Sequence, residues 1–334
     1  MNFLNALVAF LNFVVVPALS YGSQLAIGAL GVTLIFAVLR FSNFAWGDTM
    51  AFGTTLTILL TWWFTSMGIS GGPLPTALLA LPFAFVGTAA LMLATDKWVY
   101  QFYRRQKAKP IILVIVSAGV MFVMNGLVRM IIGTEEQNFA DGERFVLGAQ
   151  QFKDWTGLAE GLAIKTTTAV TLVTAIAVMA ALFWFLQKTR TGKSMRAFSD
   201  NEDLALLSGI NPDRVVQVTW VIAAALAVIA GTMYGLDKSF RPFIYFSMLL
   251  PIFAAAVVGG LGSPLGAVAG AYVVAFSEIV VTYAWKKVLG YLLPAEWAPD
   301  SLMQLLSTDY KFAVSFSILI IVLLFMPTGL FKGK

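Results

Sequence analysis

Two carboxylates in apolar surroundings are the residues of this chain whose type and position most clearly suggest chemistry. Asp48 follows an interrupted apolar stretch, and Glu278 lies inside the apolar run from Ala267 to Ala284. A carboxyl group within a membrane is costly unless it is paired or faces water, so each is a candidate for proton coupling along a transport path. The structural alternatives are that Asp48 caps the helix from Thr49 to Phe64 and that Glu278 is a hydrogen-bonded packing residue. As a pair, the two could also form an intramembrane aspartyl hydrolase, a much weaker interpretation.

The sequence excludes several other kinds of chemistry. It contains no Cys and no His, so we expect no disulfide framework, no thiolate or imidazole metal site, and no Cys-His or Ser-His nucleophile. Gly192, Lys193 and Ser194 have the order found at the end of a phosphate-binding loop. Gln187, however, occupies the position of that motif's first glycine. We therefore expect that the chain is not an enzyme and does not hydrolyse ATP itself.

The composition is that of a membrane protein. Of the 334 residues, 59% are hydrophobic and 12% are charged, whereas about 25% of the residues in a soluble globular domain are charged. The mean hydropathy is +0.83. The apolar stretches predict an all-α polytopic bundle in the inner membrane, a single transmembrane domain over residues 1–334 with about eight or nine spans and one or more broken helices. The basic residues lie at the ends of these stretches, which favours the lipid bilayer over nucleic acid as a partner.

The charge distribution predicts which loops face the cytoplasm. Arg40 ends the first convincing span, and the short loop over residues 97–109 carries five basic residues. Such loops are cytoplasmic by the positive-inside rule. The segment over residues 133–165, with six acidic and three basic residues, and the segment over residues 286–310 are then periplasmic. Residues 2–18 are apolar but short, and we expect them to be retained and to lie on or enter the membrane.

The most densely charged stretch lies between two apolar segments, over residues 187–216. It predicts two short amphipathic helices, with Ser199 or Asp200 as a cap, Gly209 as a helix end and Pro212 as the start of the next segment. A folded, charged loop of this kind could be the contact site for a cytoplasmic protein. The alternative is a solvated loop whose cations only set the orientation of the chain.

Small residues recur between Leu249 and Glu278, where Gly262 to Pro264 interrupts the apolar sequence. Small residues let helix backbones approach closely in lipid, and Gly-Ser-Pro breaks a helix. The pattern predicts a sharp reversal between two closely packed helices. Whether it also lines a translocation path is left open by the sequence.

Four stretches, in the same order along the chain, resemble those of LivH-type permeases, which are subunits of ABC importers for branched-chain amino acids. They are FSNFAWGDTMAFG from residue 41, MRAFSDNEDLALLSGINPDRV from residue 195, GGLGSPLGA from residue 259 and MPTG from residue 326. The resemblance covers roughly residues 21–334. Trp46 stands where the family usually has His, so no role of that imidazole can be transferred.

The resemblance implies roles for individual residues. It implies an ATPase-coupling loop that contains Arg196, Ala197, Asp200, Glu202, Ala205, Gly209, Ile210, Asn211, Asp213 and Arg214. The resemblance and the cost of a carboxyl group within the membrane also give candidates for a translocation path or a subunit interface. These are Asn43, Asp48, Gly259, Gly260, Gly262, Ser263 and Glu278.

The resemblance further implies a function and a set of partners. The chain would be the permease subunit of an importer for amino acids or a related small polar solute such as urea, an amide or a small acid. It would act with a second, LivM-like permease, two ABC ATPases and a periplasmic solute-binding protein. ATP and Mg would be bound by the ATPases, and the chain itself would carry no cofactor. The alternative is an ion-coupled secondary transporter or channel that acts alone, based on Asp48, Glu278 and the broken helix.

Overall fold

A computed structural model describes residues 2–139, 144–293, 301, 303–326 and 329–331. The elements, in chain order, are α1 (Asn2–Phe10), a π-helical turn (Leu11–Val15), α2 (Val16–Leu39), α3 (Trp46–Ser66), α4 (Ala77–Thr95), a second π-helical turn (Asp96–Tyr100), α5 (Gln101–Arg105), α6 (Pro110–Ile132), β1 (Phe145–Leu147), α7 (Ala149–Thr156), β2 (Ile164–Lys165), α8 (Thr166–Lys188), α9 (Arg190–Asp200), α10 (Glu202–Leu207), α11 (Pro212–Lys238), α12 (Pro242–Gly259), α13 (Pro264–Thr282), α14 (Lys286–Leu292), a 3-10 turn (Thr308–Tyr310) and α15 (Lys311–Phe325).

Eight helical segments within the described residues are long and apolar enough to cross a membrane. A further helix, α3, has a span's length of 21 residues, but its many threonines make it less apolar. Their hydroxyls bond back to the helix itself, as in the 2.9 Å bond from Thr54 to the carbonyl of Met50, which satisfies them without water. The prediction of an all-α polytopic bundle is confirmed. Besides the helices, β1 and β2 pair in a short antiparallel ladder within the segment over residues 133–165.

The amino-terminal residues belong to one helical segment, which runs from Asn2 to Leu39. At 1.5 Å per residue its 38 residues extend about 57 Å, whereas the hydrocarbon core of a bilayer is about 30 Å thick. The α2 portion is buried on nearly all sides from Ala18 to Ile35. The α1 portion reaches beyond the bundle, where the Asn5 side chain accepts hydrogen bonds from the backbone N–H groups of Ala159 and Glu160 at 3.1 and 3.4 Å.

Glu160 connects that contact to α14. Its carboxylate pairs with the Lys287 ammonium at 2.8 Å and accepts a hydrogen bond from the Tyr291 hydroxyl at 2.7 Å. Partial burial disfavours the charged carboxylate, but the bonds from Lys287 and Tyr291 outweigh this effect and lower the pKa of Glu160. The charged form of Glu160 therefore holds α14 against the segment that α1 anchors.

The loops gather at two ends of the bundle. At the basic end, the Arg40 guanidinium donates to the backbone carbonyl of Ser199, and Arg104 lies 4.0 Å from Asp213. The basic end comprises residues 40–45, 104–109, 189–214 and 260–264. At the acidic end, Gln137 and Phe240 pair through their backbones at 2.9 and 2.8 Å. The acidic end comprises the described residues 67–76, 133–139, 144–165, 239–241, 283–293 and 303–310. The loops predicted to share one side of the membrane thus share one end of the bundle.

The helices α12 and α13 form a hairpin whose turn lies at the basic end. A Cβ atom on Gly259 would overlap the backbone of Gly266, and one on Gly270 would overlap the carbonyl of Ala255. The turn itself uses positive φ angles, 103° at Gly260 and 88° at Gly262, which glycine adopts without strain. The Ser263 hydroxyl accepts a 3.2 Å bond from the Gly266 N–H and caps α13. The predicted reversal between two tightly packed helices is therefore present.

Candidate functional site

The charged stretch at the basic end folds as two helices that lie outside the bundle. Thr189 caps α9 by accepting a 3.0 Å bond from the Gly192 N–H. Gly192, Met195 and Phe198 form the buried side of α9, at the i, i+3, i+6 spacing of one helix face. Gly192 is required at the corner with α8, because a Cβ there would overlap the carbonyl of Phe185. The glycine of the Gly-Lys-Ser sequence therefore has a packing role.

The second helix, α10, leaves apolar side chains exposed. Leu204, Leu206 and Leu207 are 61%, 44% and 85% exposed. Asn201 is the cap of this helix, and its side chain accepts a 3.0 Å bond from the Leu204 N–H. The prediction of Ser199 or Asp200 as the cap is wrong, because both residues lie within α9 and the chain leaves helical geometry only at Asn201. The predicted end at Gly209, where φ is 79°, and the predicted start of α11 at Pro212 are confirmed.

Eight of the ten predicted coupling residues are exposed on this surface: Arg196, Ala197, Asp200, Glu202, Gly209, Asn211, Asp213 and Arg214. The other two, Ala205 and Ile210, are joined by a backbone hydrogen bond at the end of α10. Ala205 is buried, and its carbonyl accepts a 3.0 Å bond from the N–H of half-buried Ile210. Asn211 also caps α11, since its side chain accepts a 3.3 Å bond from the Arg214 N–H. We call residues 189–214 the coupling segment, after the role that the sequence resemblance implies.

Several spans hold the coupling segment. It is continuous with α8 and α11. Arg40, in the left-handed conformation with φ 58°, ends α2 and donates to the carbonyl of Ser199. Arg104 binds Asp96 through two bonds of 2.7 and 3.2 Å and also faces Asp213. The coupling segment is therefore attached to the ends of four spans.

A cavity of about 540 Å³ separates the coupling segment from the hairpin turn. Arg40, Arg196 and Asp200 line one side of it, and Gly262 and Pro264 line another. The sequence did not reveal this proximity, because it arises from long-range packing between segments that are distant along the chain. The coupling segment and the Gly-Ser-Pro turn, which were interpreted separately from the sequence, thus line the same cavity.

The Asp48 carboxyl group lies in the first turn of α3 and is almost fully buried. One oxygen accepts a 2.7 Å bond from the Asn125 side chain in α6, and the other has no hydrogen-bond partner among the described residues. The prediction that Asp48 caps α3 is wrong, since the helix begins at Trp46, two residues earlier. Asn43 instead stabilises the entry to α3 by accepting bonds from the Ala45 N–H at 3.1 Å and the Tyr100 hydroxyl at 3.3 Å.

Glu278 lies one turn before the end of α13 and is also buried. One carboxylate oxygen accepts a bond from the Ser315 hydroxyl in α15, while the other has no hydrogen-bond partner among the described residues. Tyr21 and Lys311 lie beside it, with the Lys311 ammonium 5.4 Å from the centre of the Tyr21 ring. Asp48 thus bonds to α6 and Glu278 to α15, and no described hydrogen bond joins the two carboxyl groups.

Comparison with known proteins adds to this geometry. The family model described as the permease component of branched-chain amino acid transport systems matches residues 14–323. The chain belongs to this permease family. Its relatives include the high-affinity branched-chain amino acid transport system permease protein LivH of Escherichia coli, 30% identical over 315 residues that cover 92% of this chain and 91% of the relative. BraD of Pseudomonas aeruginosa, with the same description, is 26% identical over 94% of each chain. The permease is thus a multi-pass membrane protein and a transport subunit.

Trp46 of this permease, at the position where the sequence resemblance implies a His, is completely buried. Its ring lies against α2, where a Cβ on Gly31 would overlap it. Its indole N–H has no hydrogen-bond partner among the described residues. The large ring therefore has a packing role that depends on a glycine at position 31.

This dependence can be tested by a double-mutant cycle. We expect Gly31→Ala to lower the melting temperature of the purified permease, because the new methyl group overlaps the Trp46 ring, whereas the same change in a Trp46→His background should have little further effect. The coupling between the two substitutions should be about 1–3 kcal/mol. If the changes in melting temperature caused by the two substitutions are additive, the ring and the glycine are independent.

Proposed function

We propose that the permease is the membrane subunit of an ATP-driven importer, and that the coupling segment is its contact with separate ATPase subunits. The observation that carries this proposal is the exposed apolar surface of α10 within a charged segment that is attached to several spans. Three exposed leucines within four residues of a short helix are costly in water unless a partner covers them. A helix of this kind fits a groove on another protein, with the surrounding charges setting orientation.

Coupling follows from the attachments of this segment. Closure of the ATPases would move α9 and α10, and the bonds from Arg40 to Ser199 and from Arg104 to Asp213 would transmit the movement to α2 and to the end of α4 and α5. Such rigid-body displacement of packed helices is a common switching motion. The close packing of α12 on α13 would make the hairpin move as a unit beside the coupling segment.

The solute is an amino acid of the branched-chain type or a related small polar molecule. The names of the LivH and BraD relatives support this substrate class. The basic end would face the cytoplasm of a bacterium and the acidic end the periplasm, with the chain in the inner membrane. The acidic end would receive the solute from a periplasmic binding protein, and a LivM-like second permease would complete the path. ATP and Mg would belong to the two ATPases.

A second candidate is an ion-coupled transporter or channel that acts alone. It is favoured by the two buried carboxyl groups, Asp48 and Glu278, each of which has one oxygen without a hydrogen-bond partner in the described structure. Such groups can carry protons in transporters. This candidate predicts transport by the purified chain with an ion gradient and without ATP.

Arg196→Glu tests the proposed ATPase contact. Arg196 is exposed on α9, so we expect the variant to fold normally but to recover at least about tenfold less ATPase when the tagged permease is isolated from membranes in mild detergent. Reversing a charge at an interface leaves like or unpaired charges, which cost about 2–5 kcal/mol. Lys107→Glu, an equal charge change in another exposed loop of the basic end, is the control. Equal recovery of ATPase by all three proteins would contradict the proposed contact.

A further inference from the structure

A second cavity at the basic end, of about 740 Å³, lies between the end of α4 and the start of α11. Its inner wall is apolar and includes Leu93, Val218 and Val221. Its outer residues are three cations, Lys97, Arg105 and Arg214, with Asp96, Gln101 and Gln217 among the remaining lining residues. One opening thus combines an apolar wall with a positively charged rim.

The positive charge of this rim is not neutralised within the described structure. Asp96 is the only acidic residue that lines the cavity, and both of its oxygens are bound by Arg104, at 2.7 and 3.2 Å. Lys97, Arg105 and Arg214 form no ion pair with any described carboxylate, and all three are exposed. The cavity therefore offers three cations to an anion from outside the chain.

Two aromatic residues indicate the depth of the cavity. Trp98 and Phe102, which flank it on the second π-helical turn and on α5, are 77% and 57% exposed. Exposed aromatic side chains at the end of a span lie at the boundary between headgroups and hydrocarbon. A soluble anion could use the cations but not the apolar wall, whereas a phospholipid at this depth presents an anionic headgroup to the rim and an acyl chain to the wall.

We propose that this cavity binds an anionic phospholipid. Its headgroup contacts Lys97, Arg105 and Arg214, and one acyl chain lies along Leu93, Val218 and Val221. Basic pockets between spans are suited to such headgroups. The lipid would join the end of α4 to the first turn of α11, where the coupling segment continues into the membrane. This site does not depend on which solute the permease carries or on whether ATP drives transport.

Native mass spectrometry of the full-length permease tests the proposal. The protein is delipidated in detergent and supplied with equal amounts of phosphatidylglycerol and phosphatidylcholine. We expect preferential retention of one phosphatidylglycerol. The double variant Lys97→Gln/Arg105→Gln should bind it about 30-fold more weakly, since each cation near an anionic lipid contributes a factor of about five. Lys107→Gln/Lys109→Gln removes the same charge from the same loop but outside the cavity, and should bind as the wild type does.

Other outcomes would overturn the proposal. Equal retention of the two lipids would show that the cavity does not recognise an anionic headgroup. Equal weakening by the two double variants would show a diffuse attraction to the whole basic loop. Displacement of the lipid by inorganic phosphate at the same concentration would identify a free-anion site. Loss of the lipid when ATPase subunits are bound to the permease would assign the cavity to the protein contact.

Discussion

Replacing Leu207 by Glu is expected to abolish ATP-driven uptake and to reduce ATPase recovery about 30-fold or more. Leu207 is 85% exposed on α10, so the substitution disturbs little packing within the chain. If the ATPase covers this side chain, the variant must bury an unpaired carboxylate in an apolar contact, which is strongly unfavourable. A few residues near the centre of an interface contribute about 2 kcal/mol or more, and a loss of about 2 kcal/mol corresponds to about a 30-fold change.

Leu74→Glu is the matched control for this experiment. Leu74 is 49% exposed at the acidic end, so the chemical change is the same at the opposite end of the bundle. We expect this variant to recover ATPase as the wild type does. Both variants should elute as monodisperse protein with unchanged melting temperatures. Normal ATPase recovery with Leu207→Glu would show that α10 is not the contact surface, even though it is apolar and exposed.

Gly259→Ala is expected to be the most destabilising single-methyl change in the hairpin. The new Cβ would overlap the carbonyl and backbone of Gly266, and a backbone neighbour cannot move aside by changing rotamer. Overpacking usually costs about 1–3 kcal/mol, and more where the structure cannot relax. We expect the melting temperature of the purified permease to fall by roughly 5 °C or more. Coupling should also be impaired, because α12 and α13 would separate beside the coupling segment.

Gly126→Ala in α6 provides the comparison. A Cβ at this position would have no neighbour within 4 Å, and the residue lies in the middle of a helix, where Ala is the better helix former. Its melting temperature should equal or slightly exceed that of the wild type. A similar loss of stability in the two variants would mean that the glycines of this chain are not needed for close helix packing.

The fold class and the site were predicted from different properties of the sequence. Hydropathy was sufficient for eight spans within the described residues, because a membrane-crossing helix must be apolar over a fixed length. It was weaker for α3, whose threonines make it less apolar. The coupling segment was identified by charge and by short motifs, and Gly209 and Pro212 have their predicted helix-end roles because backbone conformation there depends on the residue itself. Local rules were weaker for caps, since Ser199, Asp200 and Asn201 are all good capping residues and the structure uses the last.

Long-range contacts could not be predicted in this way. Three contacts join segments that are far apart in the chain. They are the packing of Trp46 against Gly31, the bond from Asn125 to Asp48 and the approach of the Gly262 turn to Arg196. No local pattern encodes these pairings, because they depend on how whole helices are arranged. The continuity of α1 with α2 was also missed, since residues 2–18 were interpreted as a separate short apolar segment.

The most direct test of ATP coupling through partner subunits is solute uptake into vesicles of defined composition. Vesicles would contain either the permease alone or the permease with its second permease and ATPases, and uptake of labelled leucine, isoleucine and valine would be measured with the binding protein outside. We predict uptake only in the complete assembly with ATP on the ATPase side, and none after Leu207→Glu. Uptake by the permease alone, driven by a proton or sodium gradient without ATP, would contradict the account.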